Sequence, residues 1–308
     1  MKVLISGVAG FIGSNLAQSH LSDGHQVVGV DNFSTGHPRN LDKLKNLEFI
    51  ESNLLDSRDS LPKSVDVVYH FASPASPEKY MAQAMNTMEV NTVGTKMLLE
   101  YSLEVGARLV FASTSEVYGD PLVSPQTETY WGNVNPIGPR SVYDEAKRFG
   151  ETLVAHFQRE HSANAGIIRI FNTYGPNMDP YDGRVVSNFL RQALAGEPLT
   201  MFGTGEQTRS FCYIDDLVIA TRKMAESDLA GAINLGNPEE RTLLELARLV
   251  LDVTKSNSRL EFLELPEDDP KQRRPDISKA NNLLGWHPVV DIETGLEKTA
   301  MWISENMP

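Results

Sequence analysis

The stretch Lys2-Val3-Leu4-Ile5-Ser6-Gly7-Val8-Ala9-Gly10-Phe11-Ile12-Gly13 decides the fold of this chain. Its first five residues are an apolar run of strand length, and the next seven place glycines at 7, 10 and 13 ahead of a helical pattern reaching about Leu21. Glycines at this spacing allow a tight turn and a close approach of backbone to a pyrophosphate, while the helix start offers free N–H groups and the positive end of its dipole. The spacing is GxxGxxG, and Phe11 and Ile12 open the helix over the expected phosphate cradle. A second strand, 26–31, closes on Asp31, 18 residues beyond Gly13, and is followed by Asn32. A carboxylate at that point accepts hydrogen bonds from an adenosine ribose and repels a 2′-phosphate. NAD is therefore the expected cofactor, with His37, Arg39 and Lys43 tempering the preference.

Outward from this turn, strands are predicted near 2–6, 26–31, 47–50, 66–71, 107–112 and 166–171, alternating with helices. That alternation is the pattern of an α/β fold with a doubly wound, Rossmann-like parallel sheet. One helix is expected over 78–105, with Met81, Met85 and Met88 forming a core or subunit-packing stripe. Past Asn172 the texture turns to Gly, Pro and Arg, with helices expected near 184–195, 215–226, 242–254 and 292–305. The chain is thus divided into a dinucleotide-binding region, 1–175, and a smaller α/β substrate lobe, 176–308, some of whose segments return to the first.

A hydroxyl, a phenol and an ammonium that suit reversible alcohol oxidation lie within the first region. Tyr143 and Lys147 are four residues apart in Ser141-Val142-Tyr143-Asp144-Glu145-Ala146-Lys147, free of Pro and Gly, so on a helix they share a face. A free tyrosine ionises near pH ~10, and a close positive charge favours its phenolate. With Thr114 beside it, Tyr143 is the expected base for a sugar hydroxyl, and Glu116, two residues past Thr114, suggests chemistry beyond oxidation.

Composition narrows the class. The chain has 308 residues, 41% of them hydrophobic, and a formal charge of −13, which argues against nucleic acid as partner. No apolar run is long enough to span a membrane and the N-terminal strand lacks the order of a secretory signal, so a cytoplasmic protein is expected. Cys212 stands alone, which excludes an intrachain disulfide, and the histidines show no metal-binding spacing, so no metal is expected. His70 is read as a hydrogen-bonded strand residue. An anionic substrate needs local cations, for which Arg184, Arg209, Arg273 and Arg274 are the candidates.

These pieces carry a resemblance. Ala72-Ser73-Pro74-Ala75-Ser76-Pro77, Ser113-Thr114-Ser115-Glu116-Val117-Tyr118-Gly119, Trp131-Gly132-Asn133-Val134-Asn135-Pro136-Ile137-Gly138-Pro139-Arg140 and Asp182-Gly183-Arg184-Val185-Val186-Ser187-Asn188-Phe189 make the chain similar to the extended short-chain dehydrogenase/reductases. Within them it most resembles the UDP-glucuronic acid decarboxylases, or UDP-xylose synthases. The resemblance implies that Gly7, Gly10, Phe11, Ile12, Gly13, Asp31, Asn32, Ala72, Tyr143 and Lys147 hold NAD. It implies that Thr114 and Tyr143 bracket the sugar O4, and that Ser115, Asn172, Arg184, Asn188, Gln207 and Arg209 contact the nucleotide sugar. Glu116 and Arg273 match the acidic and basic residues beside the sugar carboxylate, and Tyr80 is a further sugar contact. Asn53 departs from an Asp that often faces adenine, a contact that is either lost or remade with Asp56 nearby, and Asn177 replaces an arginine.

The implied reaction oxidises C4 of UDP-glucuronate, loses carbon dioxide from the resulting β-keto acid, and reduces the ketone to UDP-xylose, with NAD recycled. Arg273 or an attached water would protonate C5. A nucleotide-sugar 4,6-dehydratase, a 4-epimerase and a non-catalytic NAD-sensing regulator remain as alternatives. So do uridine against thymidine nucleotide, and release of the keto pentose against its reduction. The resemblance also implies a homodimer through helices 78–105 and 141–161.

Overall fold

Short apolar runs, buried on both sides, build the centre of the molecule. The computed structural model describes residues 1–264 and 272–307. Strands β1 (Lys2–Ser6), β2 (Gln26–Asp31), β3 (Leu47–Glu51), β4 (Val67–His70), β5 (Arg108–Thr114) and β6 (Ala165–Ile170) join a seventh, Ala232–Leu235, in one sheet. Its order is Ala232–Leu235, β6, β5, β4, β1, β2, β3, with every neighbouring pair parallel. Parallel strands covered by helices on both faces read as continuous apolar runs, and all seven residues of β5 are buried. Even Arg108 is accommodated there, because its guanidinium donates to the carbonyls of Met224 and Leu229. Strand order reverses between β1 and β4, and the crevice beyond the carboxyl ends of such strands is where a doubly wound sheet binds its ligand. His70, at the end of β4, is buried between the Ser6 Oγ at 2.9 Å and the Thr95 Oγ1 at 3.1 Å.

The single helix expected over 78–105 is instead four segments: Pro77–Ala82, Ala84–Glu89, a π-turn at Val90–Gly94, and Thr95–Val105. Polar side chains explain the loosened ladder. Asn91 Nδ2 donates to the Thr87 carbonyl, Thr92 Oγ1 to Met88 and Thr95 Oγ1 to Asn91, each at 2.7–2.8 Å, and such bonds to the preceding turn unwind an α-helix. Met81 and Met85 face outward, so the methionine stripe is not core.

Beyond β6 the chain makes small sheets: Thr173–Tyr174 with Cys212–Tyr213, Leu199–Phe202 with Leu260–Leu263, and Thr208–Ser210 between Glu240–Thr242 and Gln272–Arg273. Helices Val185–Ala195, Ile214–Glu226, Leu243–Thr254 and Ile292–Asn306 accompany them. Leu243–Thr254 starts where its sequence says it should, at a reciprocal cap between Thr242 and Glu245. Register sets Arg273 directly beside Arg209 on adjacent strands. Among the described residues, no helix is long and apolar enough to cross a membrane, and no cluster of metal-binding side chains occurs.

Candidate active site

The turn after β1 has no room for side chains. A Cβ on Gly13 would sit 2.1 Å from the Gly7 carbonyl oxygen, and one on Gly7, whose φ is +77°, would sit 2.7 Å from the Ala72 nitrogen. The helix Phe11–Ser22 therefore starts hard against the strand, with its first N–H groups directed at the crevice. Asp31 caps the other side. Its carboxylate accepts from Ala9 N at 2.9 Å and Phe33 N at 2.8 Å, and burial nevertheless raises its pKa. Gly7, Gly10, Asp31, Asn32 and Ala72 line one continuous cleft, joined by Asn53. Phe11 and Ile12, which follow Gly10 in the first turn of the helix, pack their side chains on the core.

Two expectations about this cleft are corrected. Asp56 is exposed and does not line it: Asn53 Oδ1 accepts from Leu55 N, which folds residues 54–56 into a short turn that carries Asp56 outward. Of the cations expected to temper the NAD preference, His37 and Arg39 are engaged by Asp179, at 3.2 and 4.0 Å, and the same carboxylate holds Lys79 at 2.6 Å.

The helix Ser141–His161 brings the phenol and ammonium to the end of β5. It buries Tyr143, Lys147, Gly150, Val154 and Phe157 on one stripe. Gly150 makes the approach feasible, since a Cβ there would lie 2.4 Å from the Phe111 ring. Lys147 Nζ donates to the Ala112 carbonyl at 2.6 Å and stands 5.8 Å from the centre of the Tyr143 ring. Tyr143 is hydrogen-bonded to Thr114 and stacked on Tyr80, ring centres 4.9 Å apart.

Lys147 does not, however, outweigh what holds the phenol protonated. Burial raises the Tyr143 pKa, the Glu116 charge raises it further, and the Thr114 hydrogen bond and Arg184 only partly oppose them. The same burial lowers Lys147 to about 7, with Glu151 opposing. Desolvation outweighs the pair's attraction because it penalises both charged forms. The Tyr143 proton is therefore held at rest.

Glu116 lies one turn beyond Thr114, in Ser115–Tyr118, and its carboxylate is gripped by two arginines. Arg273 donates to both oxygens, at 2.6 and 2.7 Å, and Arg140 adds a third bond at 3.0 Å. Burial alone would raise this carboxyl, but the two guanidinium groups hold it well below the ordinary carboxylate range. Arg140 escaped the sequence reading, although it precedes Tyr143 by only three residues; its partner is 24 positions away. Asp144 escaped as well. It is buried beside the same cluster, and burial together with Glu116 raises its pKa.

The remaining predicted residues divide. Arg184 is ion-paired with Asp182, and its charge is felt by Tyr143. Arg209 neighbours Arg273 by register, and Ser115 is buried in the Glu116 turn. Asn188 donates to the Gly183 carbonyl and Gln207 to that of Phe202, while the Asn172 carbonyl accepts from Cys212 N. Arg274 is turned away, toward the Pro238 carbonyl and Glu240.

Residues 3–236 match the model of the NAD dependent epimerase/dehydratase family. UDP-glucuronic acid decarboxylase 1 of Danio rerio is 49% identical over 306 residues, covering 99% of this chain and 73% of that protein. UDP-glucose 4-epimerase of Thermotoga maritima, solved with UDP-glucose, superposes with a TM-score of 0.93 at 30% identity over the whole of both chains. UDP-glucuronic acid 4-epimerase of Bacillus cereus, solved with UDP-glucuronic acid and NAD, does so with a TM-score of 0.89 at 31% identity over 99% of each.

Proposed function

The chain belongs to the NAD dependent epimerase/dehydratase family, and we propose that within it the protein is a UDP-glucuronate decarboxylase that forms UDP-xylose through a 4-keto intermediate. The observation that carries the reading is Glu116 clamped by Arg273 and Arg140 next to the Thr114–Tyr143 pair. Alcohol oxidation needs only the pair. A buried acid and two cations one turn away are what a reaction at an adjacent carboxylate requires.

The glycine cradle fits a dinucleotide, since the turn is closed so tightly that a Cβ at Gly7 or Gly13 would strike its own backbone, which leaves main-chain groups alone to face the phosphates. Gly7, Gly10 and Gly13, with the Phe11 and Ile12 backbone, would hold the pyrophosphate, Asp31 and Asn32 the ribose, and Asn53 and Ala72 the adenine side. When bound, NAD supplies oxidation at sugar C4, the later return of the same electron pair, and a positive ring charge that assists the phenolate. Tyr143 takes the O4 proton, with Thr114 fixing the hydroxyl and Lys147 supporting the charge. A ketone at C4 stands β to the C6 carboxylate, so carbon dioxide departs and its electrons enter an enolate that Tyr143 hydrogen-bonds. Glu116 discourages tight binding of the substrate carboxylate, which would stabilise the ground state and oppose its loss. Arg184, Arg209, Asn172, Asn188, Gln207 and Tyr80 are the proposed grips on the nucleotide sugar, carried mainly by the elements after residue 175. A homodimer is proposed through the helix face that exposes Met85, Val93 and Phe149. A cytoplasmic setting suits the single cysteine, Cys212, which is buried and free.

Incubation with UDP-glucuronate, UDP-glucose and dTDP-glucose, followed by mass analysis, tests the activity. Loss of one carbon dioxide from UDP-glucuronate alone is expected. Loss of water, or no mass change with altered stereochemistry, would instead mean dehydration or epimerisation.

A further inference from the structure

We propose that Asp144 supplies the proton consumed at C5 of the sugar when carbon dioxide leaves. The inference rests on the decarboxylase reading above and follows from its proton balance. The C5–C6 bond breaks, its electron pair enters the enolate, and a C5–H bond must then form, so each turnover takes up one proton. Tyr143 cannot meet this demand, because the proton it removes from O4 returns to O4 when the ketone is reduced.

The groups around Glu116 leave one candidate. Arg140 and Arg273 direct their guanidinium donors at Glu116, and Glu116, held ionised between them, has no proton to give. Tyr80 is buried with a raised pKa, which makes it a poorer acid than a free phenol. Asp144 is 5% exposed, one residue past Tyr143, and its Oδ1 is buried without a hydrogen-bond partner. The Tyr80 hydroxyl and the Arg273 Nε, whose side chains belong to the same cluster of charges, also lack partners, and unpaired buried polar atoms mark a place for a polar ligand or water.

The charges facing Asp144 are Glu116 from the turn after β5, Arg140 from the preceding loop, Arg273 from Gln272–Arg273, and Glu145 from its own helix, with the phenols of Tyr80 and Tyr143 alongside. An acid in the first turn of a helix is ordinarily kept ionised by the dipole. Here burial and Glu116 prevail over the two arginines and push it up to about 8. The proton passes from Asp144 Oδ through a bridging water to C5. Arg140 and Arg273 stabilise the carboxylate left behind, and solvent reprotonates it before the next cycle. Acting through a water, Asp144 is a positioning residue for the proton.

The test is turnover of UDP-glucuronate in heavy water by the wild-type protein, Asp144→Asn and Asp144→Glu, with NADH formation, pentose formation and the position of deuterium at C5 read separately. The wild type is expected to place deuterium in one of the two C5 positions. Asp144→Asn should retain NAD and form NADH, yet make pentose about a hundredfold more slowly with label in both positions; Asp144→Glu should restore the single position. Wild-type pentose formation should also fall about tenfold per pH unit above the range in which Asp144 keeps its proton, while NADH formation does not. Single-site label at the wild-type rate in Asp144→Asn overturns the inference, as does a wild-type profile for pentose that stays flat into strongly alkaline solution. No pentose from the wild type would overturn the decarboxylase reading itself.

Discussion

Replacing Glu116 by Gln keeps its shape and removes its charge, which isolates what the clamp contributes. The carboxylate accepts three charge-assisted bonds, at 2.6, 2.7 and 3.0 Å, from two guanidinium groups, and the side chains involved are 8–15% exposed, so solvent screens them little. Glutamine offers one acceptor and turns its own N–H₂ toward a cation. Breaking a buried pair while leaving its partner charged costs about 3–5 kcal/mol; with one acceptor retained, about 3 kcal/mol is expected. Domains of 150–250 residues lose roughly 2–4 °C per kcal/mol, so melting should drop by about 6–12 °C. The folded carboxyl lies below its unfolded value of ~4.3, so its contribution is complete above that pH and fades as acid is added. Glu116→Gln should therefore flatten the acid side of the stability profile. Calorimetry of the NAD-loaded protein reads the first effect, and labelled carbon dioxide the second: release should collapse while NAD stays bound. Unchanged melting together with near-normal turnover would refute both the clamp energetics and the role of Glu116.

Tyr143→Phe should keep NAD yet form no NADH or keto sugar, by absorbance and product analysis; unchanged formation of either would reject this phenol as the base. Gly13→Ala forces a methyl to within 2.1 Å of the Gly7 oxygen, and because that neighbour is backbone the cost is at least about 1–3 kcal/mol. The purified protein should carry little NAD, and normal cofactor content would contradict the cradle. Lys147 titrates at about 7 when buried and near ~10.4 when unfolded, so the unfolded chain holds an extra proton between those values and the protein gains stability as pH rises through them. Denaturant titrations of Lys147→Met should lose that rise.

The elements that the sequence announced are those whose reasons are local. β1 and its glycine turn follow from an apolar run and from backbone that must touch backbone, and the Tyr143–Lys147 face follows from helical spacing. The seventh strand stayed hidden because Asn234 interrupts its apolar pattern. That asparagine is wholly buried, accepting from the Tyr118 hydroxyl at 2.7 Å and donating to the Gln126 and Asp276 carbonyls, partners that only the folded chain supplies. Arg140 and Asp144 were opaque for a similar reason. Each looks like an ordinary charge beside the catalytic helix until the strand carrying Arg273 arrives from more than a hundred residues away. The phenol's resting state was misjudged because spacing reports distance and says nothing of burial, and at Tyr143 burial is the larger effect.

The most direct measurement is turnover of UDP-glucuronate carrying an isotopic label at C6, with gas and nucleotide sugar collected from the same reaction. The account predicts that the label leaves as carbon dioxide, one molecule for each UDP-pentose formed, with bound NAD unchanged at the end. Label retained in the sugar of an active preparation would contradict it.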